Sequence, residues 1–298
     1  MLKLTLMNGL VIIDKPSGCT SHDVVNRWRR LAGTKRVGHL GTLDPMATGV
    51  LALLTGTATR LAQFYGNNDK TYAAEFTLGL VSDSYDADGE VTSTDAPLPA
   101  QSEVSEALNR FRGRFEQTPP PVSAKKIMGT PAYKLARRQQ PVELPAVSVE
   151  VKGLDVLSIE GHRICLIITC TAGTYIRGIA HDLGQILGCG AILTALRRTR
   201  SGEFTIDQAR TLDELAALAD AHRLDDAVMP AAQLLPGMPP AYIDETVVAQ
   251  IRQGRDFRIS PFVVSSGAPR VKAISYAGEL IAIGELKFPN TYHPAIVL

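Results

Sequence analysis

Neither a secretory leader nor an N-terminal membrane span is expected of this sequence. Its apolar opening, MLKLTLMNGLVIIDKPSG, is broken at Asn8, Gly9, Asp14 and Lys15 before either could form. The expectation is a cytoplasmic protein that does not enter a membrane. Cysteine is scarce: Cys19, Cys165, Cys170 and Cys189 make no CxxC pair and have no histidine at zinc spacing, which reads as four free thiols and no metal. There is no GxxxxGK[ST] phosphate loop, no GxGxxG, no HExxH and no GxSxG. Those absences remove the usual nucleotide-binding, metalloprotease and serine-hydrolase readings. Net charge is nearly absent too, at +1 from 31 basic and 30 acidic residues, so overall charge does not indicate a nucleic-acid partner.

What is present is an ordinary globular composition, 45% hydrophobic and 20% charged, in a chain of 298 residues, enough for two domains. The charge is unevenly spread. No basic residue lies between Lys70 and Arg110, a stretch holding Asp83, Asp86, Asp88, Glu90 and Asp95. From Arg110 to Arg138 the sign reverses, with Arg112, Arg114, Lys125, Lys126, Lys134 and Arg137 against Glu116 alone. Such a run is either a solvated face or an RNA-binding one.

GLVIIDKP reads as a short buried strand ended by Pro16, and TSHDVVNRWRRLAG as a helix with Thr20 and Asp23 as its capping box and Gly33 past its end. KTYAAEFTLGL and RICLIITC read as strands, Ile176 to Leu187 as a helix closed by Gly188, and Thr211 to Ala221 as another. Strands and helices mix without a regular βαβ beat. The class is therefore α+β with a mixed, largely antiparallel sheet. LLPGMPP, from Leu234 to Pro240, has the composition of a linker, and the short strands after it suit a small β-barrel or sandwich.

Three side chains invite a chemical reading. Asp44 stands in VGHLGTLDPMATGV, between glycines and directly before Pro45. An Asp-Pro pair is what a helix N-cap looks like; the alternative is an extended, ionisable residue that a ligand can approach. Arg177 falls in the first turn of a helix, where the helix dipole favours anions, so it calls for a carboxylate partner. Asp44 would supply one and be kept ionised as a nucleophile. Tyr72 shares a strand face with Ala74, Phe76 and Leu78, as a core residue or as a platform for a nucleobase. SDSYDADGE is similar to a calcium loop, but the closing position would be Asp95 rather than glutamate, so it reads as an acidic hairpin.

Taken in order, GLVIIDKPSGCTSHDVV, RVGHLGTLDPMATGVL, KTYAAEFTLGLVSDSYDADG, QTPPPVSAKKIMGTPAYKLAR, GTYIRGIAHDLG and LRRTRSGEF closely resemble the TruB family, the tRNA pseudouridine-55 synthases. The resemblance implies a pseudouridine synthase catalytic domain over 1–236, with an inserted element at about 117–146 that grips the tRNA T-arm. A PUA-like RNA-binding β-barrel would follow over 241–298. It implies isomerisation of the T-loop uridine 55 on a flipped-out base, with Asp44 as the catalytic aspartate, Tyr72 stacked on the uracil and Arg177 paired with Asp44. By the same carry-over Tyr175 and Leu196 line the pocket, His39 lies where the base is flipped, Lys15 supports the loop and Lys126 contacts the substrate. The reaction is a redox-neutral rearrangement, so no cofactor and no metal are expected, and the partner is tRNA bound by a monomer. Whether Asp44 attacks ribose C1′ or uracil C6, or assists departure of the base to a glycal-like species, stays open.

Val122 stands where the family commonly has an aromatic residue, and RRQQPVELPAVSV lacks the usual glycine and some arginines. Both departures lie in the inserted element. Two other functions fit a scaffold of this kind: a guide-RNA-dependent pseudouridine synthase, and a non-catalytic RNA-binding or tRNA-folding protein.

Overall fold

Alternation of side chains sets the centre of the molecule. In the computed structural model, which describes residues 7–120, 126–127, 130–131, 145–260 and 267–298, every second residue of the Lys70–Leu78 strand from Lys70 onward is buried. Tyr72, Ala74, Phe76 and Leu78 therefore point into one core, as a period of two requires. Arg163–Cys170 repeats the pattern with Ile164, Leu166, Ile168 and Cys170.

Among the described residues, these strands belong to a ten-stranded sheet. Its main path runs Met229–Pro230, Gly9–Lys15, Thr48–Thr55, Ala191–Ser201, Lys70–Leu78, Arg163–Cys170, Val147–Glu160 and Gly113–Gln117, with Val37–His39 and Phe204–Thr205 paired off it. Its ladders are antiparallel except where Arg197 and Arg198 pair in parallel with Thr48 and Gly49. Gly49 permits that parallel contact: a Cβ there would lie 2.2 Å from the Arg198 carbonyl oxygen.

Helices cover the Tyr72 face. Ser21–Leu31 starts at Thr20 with the expected capping box to Asp23 and buries Val24, Val25 and Trp28. The Trp28 indole N–H donates to Thr55 Oγ1 at 2.8 Å, so its burial leaves no polar atom without a partner. Ile176–Leu187 ends at Gly188, whose φ of 71° is the left-handed cap that glycine adopts without strain. Gln101–Asn109 and Leu212–Asp220 complete this layer.

The opposite face of Gly9–Lys15 and Thr48–Thr55 carries Leu10, Ile12, Val50, Ala52 and Leu54 into a second core. That core also takes Leu61 from the 3-10 helix Gly56–Phe64 and Ile274, Leu280 and Ile283 from a second sheet. Among the described residues the second sheet is five-stranded and curled, in the order Pro240–Ile243, Arg270–Ser275, Leu280–Phe288, Thr291–Val297 and Phe257–Arg258, the form expected of a PUA-like domain. With the Glu245–Arg252 helix it builds a third core around Ile251, Phe257, Val271 and Tyr292.

The stretch read as a linker is anchored at its start, although Pro236, Gly237 and Pro240 are exposed. Leu234 is fully buried, and Lys272 Nζ donates to the carbonyls of Ala232 and Leu234 at 2.9 and 2.8 Å. Proline and glycine break regular structure in a docked segment just as they do in a free one. Of the inserted element, Lys126–Ile127 and Thr130–Pro131 pair as short strands, while Val122 and the side chain of Lys126 lie outside the described residues. So do residues 261–266, within the run of short strands expected after Pro240.

Candidate active site

The loop between Val37–His39 and Thr48–Thr55 is held from within the protein by two buried cations. Lys15, fully buried, donates to the carbonyls of Pro16, Pro45 and Ala47 at 2.9, 3.0 and 2.7 Å. Arg198, 2% exposed, donates to the carbonyls of Val50, Thr42 and Gly41 at 2.7, 3.3 and 3.0 Å. Ser21 Oγ adds a reciprocal pair with the Leu43 backbone, donating at 3.0 Å and accepting at 2.8 Å. Buried carbonyls need such donors, and supplying them fixes the path of the chain.

Asp44 projects from this braced loop. The N-cap reading of Asp44 and Pro45 is corrected: no helix follows, and the Ala47 N–H closes a tight turn on the Asp44 carbonyl at 3.1 Å. The Asp44 side chain is 37% exposed, and its Oδ2 lies 3.1 Å from Arg177 Nε. The N–H of that nitrogen is not aimed well enough for a hydrogen bond, so charge and proximity make the pairing.

Arg177 itself is buried in the first turn of Ile176–Leu187, and it has a second acidic neighbour that sequence reasoning missed. Asp86 Oδ2 lies 3.8 Å from Arg177 Nε, and Arg177 Nη1 donates to the Ser84 carbonyl at 3.1 Å. Asp86 is fastened by Ser84 Oγ at 2.6 Å and by the Asp88 N–H at 3.1 Å. Burial pushes its carboxyl above the usual range, while Ser84, Arg177 and the Asp88 N–H pull the other way. The hairpin carrying it is tied to the Asp44 loop where the Met46 N–H meets Asp88 Oδ2 at 3.1 Å. Tyr85, with φ 68°, stacks on His181 at 3.7 Å between ring centroids. The signal for Asp86 was available as a carboxylate in a stretch without cations, needing one from elsewhere in the chain.

Asp44, Tyr72, Arg177, His39, Tyr175 and Leu196 line one cleft of about 480 Å³, within the range of small-molecule sites. Tyr72 is 8% exposed, and burial raises its phenol above the ordinary value. Tyr175 is pinned by Gln117, whose side chain accepts from the Tyr175 N–H and donates to its carbonyl, both at 2.9 Å. Burial, then Arg198 and His22, lower the His39 pKa. Lys15 lies beneath the Asp44 loop, bound to its backbone. Lys70 and Arg198 also line the cleft, though the sequence had not marked them.

The arrangement offers a carboxylate reachable from a cleft, a guanidinium 3.1 Å from it, and apolar and aromatic walls for a flat ring. Residues 29–176 match the model of the TruB family pseudouridylate synthase (N terminal domain), and residues 177–236 that of the tRNA pseudouridylate synthase B C-terminal domain. A tRNA pseudouridine synthase B of Solibacter usitatus is 53% identical over 293 residues, which cover 98% of this chain and 100% of the relative. Its counterpart from an Arthrobacter species is 43% identical, over 84% of this chain and 82% of its own. A chain of an H/ACA RNP bound to a substrate RNA containing 2'-deoxyuridine shares the fold. It has a TM-score of 0.70 and 24% identity, covering 100% of this chain and 87% of that one.

Proposed function

Because the chain belongs to the TruB family of pseudouridine synthases, we propose that it isomerises uridine 55 in the tRNA T-loop, with Asp44 as the attacking carboxylate. One observation carries the assignment: Asp44 faces the cleft while held 3.1 Å from a buried guanidinium. Pseudouridylation breaks the bond from uracil N1 to ribose C1′, turns the base and joins C5 to C1′; C5 loses its proton and N1 takes one up, so the product is an isomer of the substrate. The base must first leave its stack, at a cost of roughly a few kcal/mol. Stacking on Tyr72 offsets part of that, on the order of 1–3 kcal/mol.

Arg177 orients Asp44, whether the carboxylate attacks C1′, attacks C6 or assists departure of the base. Tyr72 lies against the uracil with its hydroxyl available to pass a proton. Leu196 and Tyr175 flank the ring, and His39 stands at the mouth where the base turns out. Lys15 holds the Asp44 loop, and Lys126 belongs to the element at 117–146 that grips the T-arm. Residues 1–236 form the catalytic domain and 241–298 a PUA-like RNA-binding domain. The protein works in the cytoplasm as a monomer, without an obligate protein partner.

The test uses unmodified tRNA transcript tritiated at uridine C5. Stoichiometric tritium release from one T-loop uridine, lost in Asp44→Asn, is the expected result. Tight tRNA binding without release would overturn the reaction in favour of an RNA-folding protein, and activity only with a co-purified guide RNA would favour a guide-dependent enzyme.

A further inference from the structure

Two buried lysines, one beneath the Asp44 loop and one in the cleft wall, use their donors differently. Lys15 uses all three N–H groups on carbonyls, that of Pro16 beside it and those of Pro45 and Ala47 in the Asp44 loop. Lys70 is 8% exposed and lines the cleft, yet among the described residues it has one hydrogen-bond partner, the Asn68 carbonyl at 2.6 Å. Two of its donors remain unspent.

The surroundings of Lys70 hold little compensating negative charge. Asp69, next in sequence, is taken by Lys152 at 2.7 Å. Asp44 and Asp86 are engaged at Arg177. The near charge is another cation: a Cβ at Gly41 would lie 3.6 Å from Arg198 Nη1 and 3.9 Å from Lys70 Cε, so both line the space beside that glycine. His39 lines the same cleft. Loss of hydration, then the Arg198 charge, lower the Lys70 pKa, and the smaller upward pulls of Cys170 and Asp69 do not offset them. An ammonium held in this way is costly to keep charged until an anion meets it.

The ligand proposed for this cleft is RNA, which brings one phosphate with every nucleotide. We propose that Lys70 is a phosphate-binding residue, its ammonium taking a non-bridging oxygen of a backbone phosphate that adjoins the flipped uridine. Arg198 reinforces the positive field while its own donors hold the Asp44 loop. The inference rests on reading the cleft as the uridine site, and it adds a contact that fixes the backbone on which the base turns.

The experiment measures affinity and turnover of wild type, Lys70→Met and Lys70→Arg on a T-arm stem-loop. The substrate is either unmodified or carries a neutral methylphosphonate at the phosphate 5′ or 3′ to the target uridine. Lys70→Met is expected to weaken binding about tenfold, the lower end for a charge-assisted hydrogen bond, with a smaller change in kcat, and Lys70→Arg to recover most of it. The slope of log Kd against log salt should become shallower by about 0.7, the contribution of one single-strand phosphate contact. At one flanking position, methylphosphonate should cost the wild type the same factor and Lys70→Met nothing further.

Additive losses at both positions with an unchanged salt slope would overturn the proposal and leave Lys70 a strut for the Asn68 carbonyl. Should Lys70→Met fail to fold, the wild type decides alone, since unaltered affinity for both neutral substrates also overturns it. Binding is read with or without turnover. A wild type that binds the stem-loop but releases no tritium would therefore count against the proposed reaction, while the Kd values still decide the contact.

Discussion

Asp44 and Asp86 approach the same guanidinium from two loops and arrive in opposite conditions. Asp86 is buried and fastened by Ser84 Oγ and the Asp88 N–H. Asp44 is 37% exposed, and its carboxylate has no hydrogen bond among the described residues; its close charge contact is with Arg177. The first arrangement suits a group that holds something else in place. The second suits a group that must leave its partner's side to meet a substrate. A nucleophile tied by several strong hydrogen bonds would have to break them in the transition state.

The comparison can be broken at either carboxylate, and the losses should differ in kind. Asp44→Asn should abolish tritium release while tRNA affinity stays near wild type in a filter-binding assay; substantial remaining turnover would show that the exposed carboxylate is not the attacking group. Arg177→Met should lower kcat by roughly a hundredfold or more, the scale for losing a preorganised charge at a reacting centre. Single-turnover rates at saturating enzyme would show it, and an unchanged rate would remove the ion pair from the mechanism.

Asp86→Asn should lower kcat about tenfold, because Arg177 keeps its Ser84 carbonyl but loses one charged neighbour. It also carries a pH signature. Burial raises the Asp86 pKa, so between the ordinary aspartate value and the raised one the folded protein holds a proton that the unfolded chain has released. That contribution to stability is present in acid and is lost as pH rises through the raised value. Melting temperatures should therefore shift in favour of Asp86→Asn as pH increases, and a pH-independent gap would contradict the assignment. The smallest effect is expected from Tyr85→Leu, which removes the stack on His181 and should cost about 1 kcal/mol in urea unfolding. A loss of catalysis as large as that of Asp86→Asn would mean the stack, rather than the carboxylate, sets the hairpin.

The local rules were readable where one residue decides one feature. Thr20 with Asp23 started a helix, Gly188 ended one, and alternation placed Tyr72 on the buried face. Arg177 in a first turn implied a carboxylate partner, because its position opposes the dipole. Long-range geometry was not readable in the same way. Asp-Pro fits a helix cap and a tight turn equally, and which forms depends on Lys15 and Arg198 gripping carbonyls from distant strands. Asp86 lay in a run read as an acidic hairpin, and only folding shows which of its carboxylates lies beside Arg177. The Pro- and Gly-rich stretch before Pro240 read as a linker because composition reports the breaking of regular structure and says nothing of whether the segment is docked.

The second core has an experimental consequence. Leu10, Ile12 and Val50 of the large sheet are covered in part by Ile274, Leu280 and Ile283 of the small one. A chain cut after residue 236 would bare that apolar surface to water, and self-association would then be confused with loss of RNA binding. In the intact chain the same seam prepays orientation: a ligand reaching both sheets meets the second at an effective concentration set when the protein folded rather than by a tether.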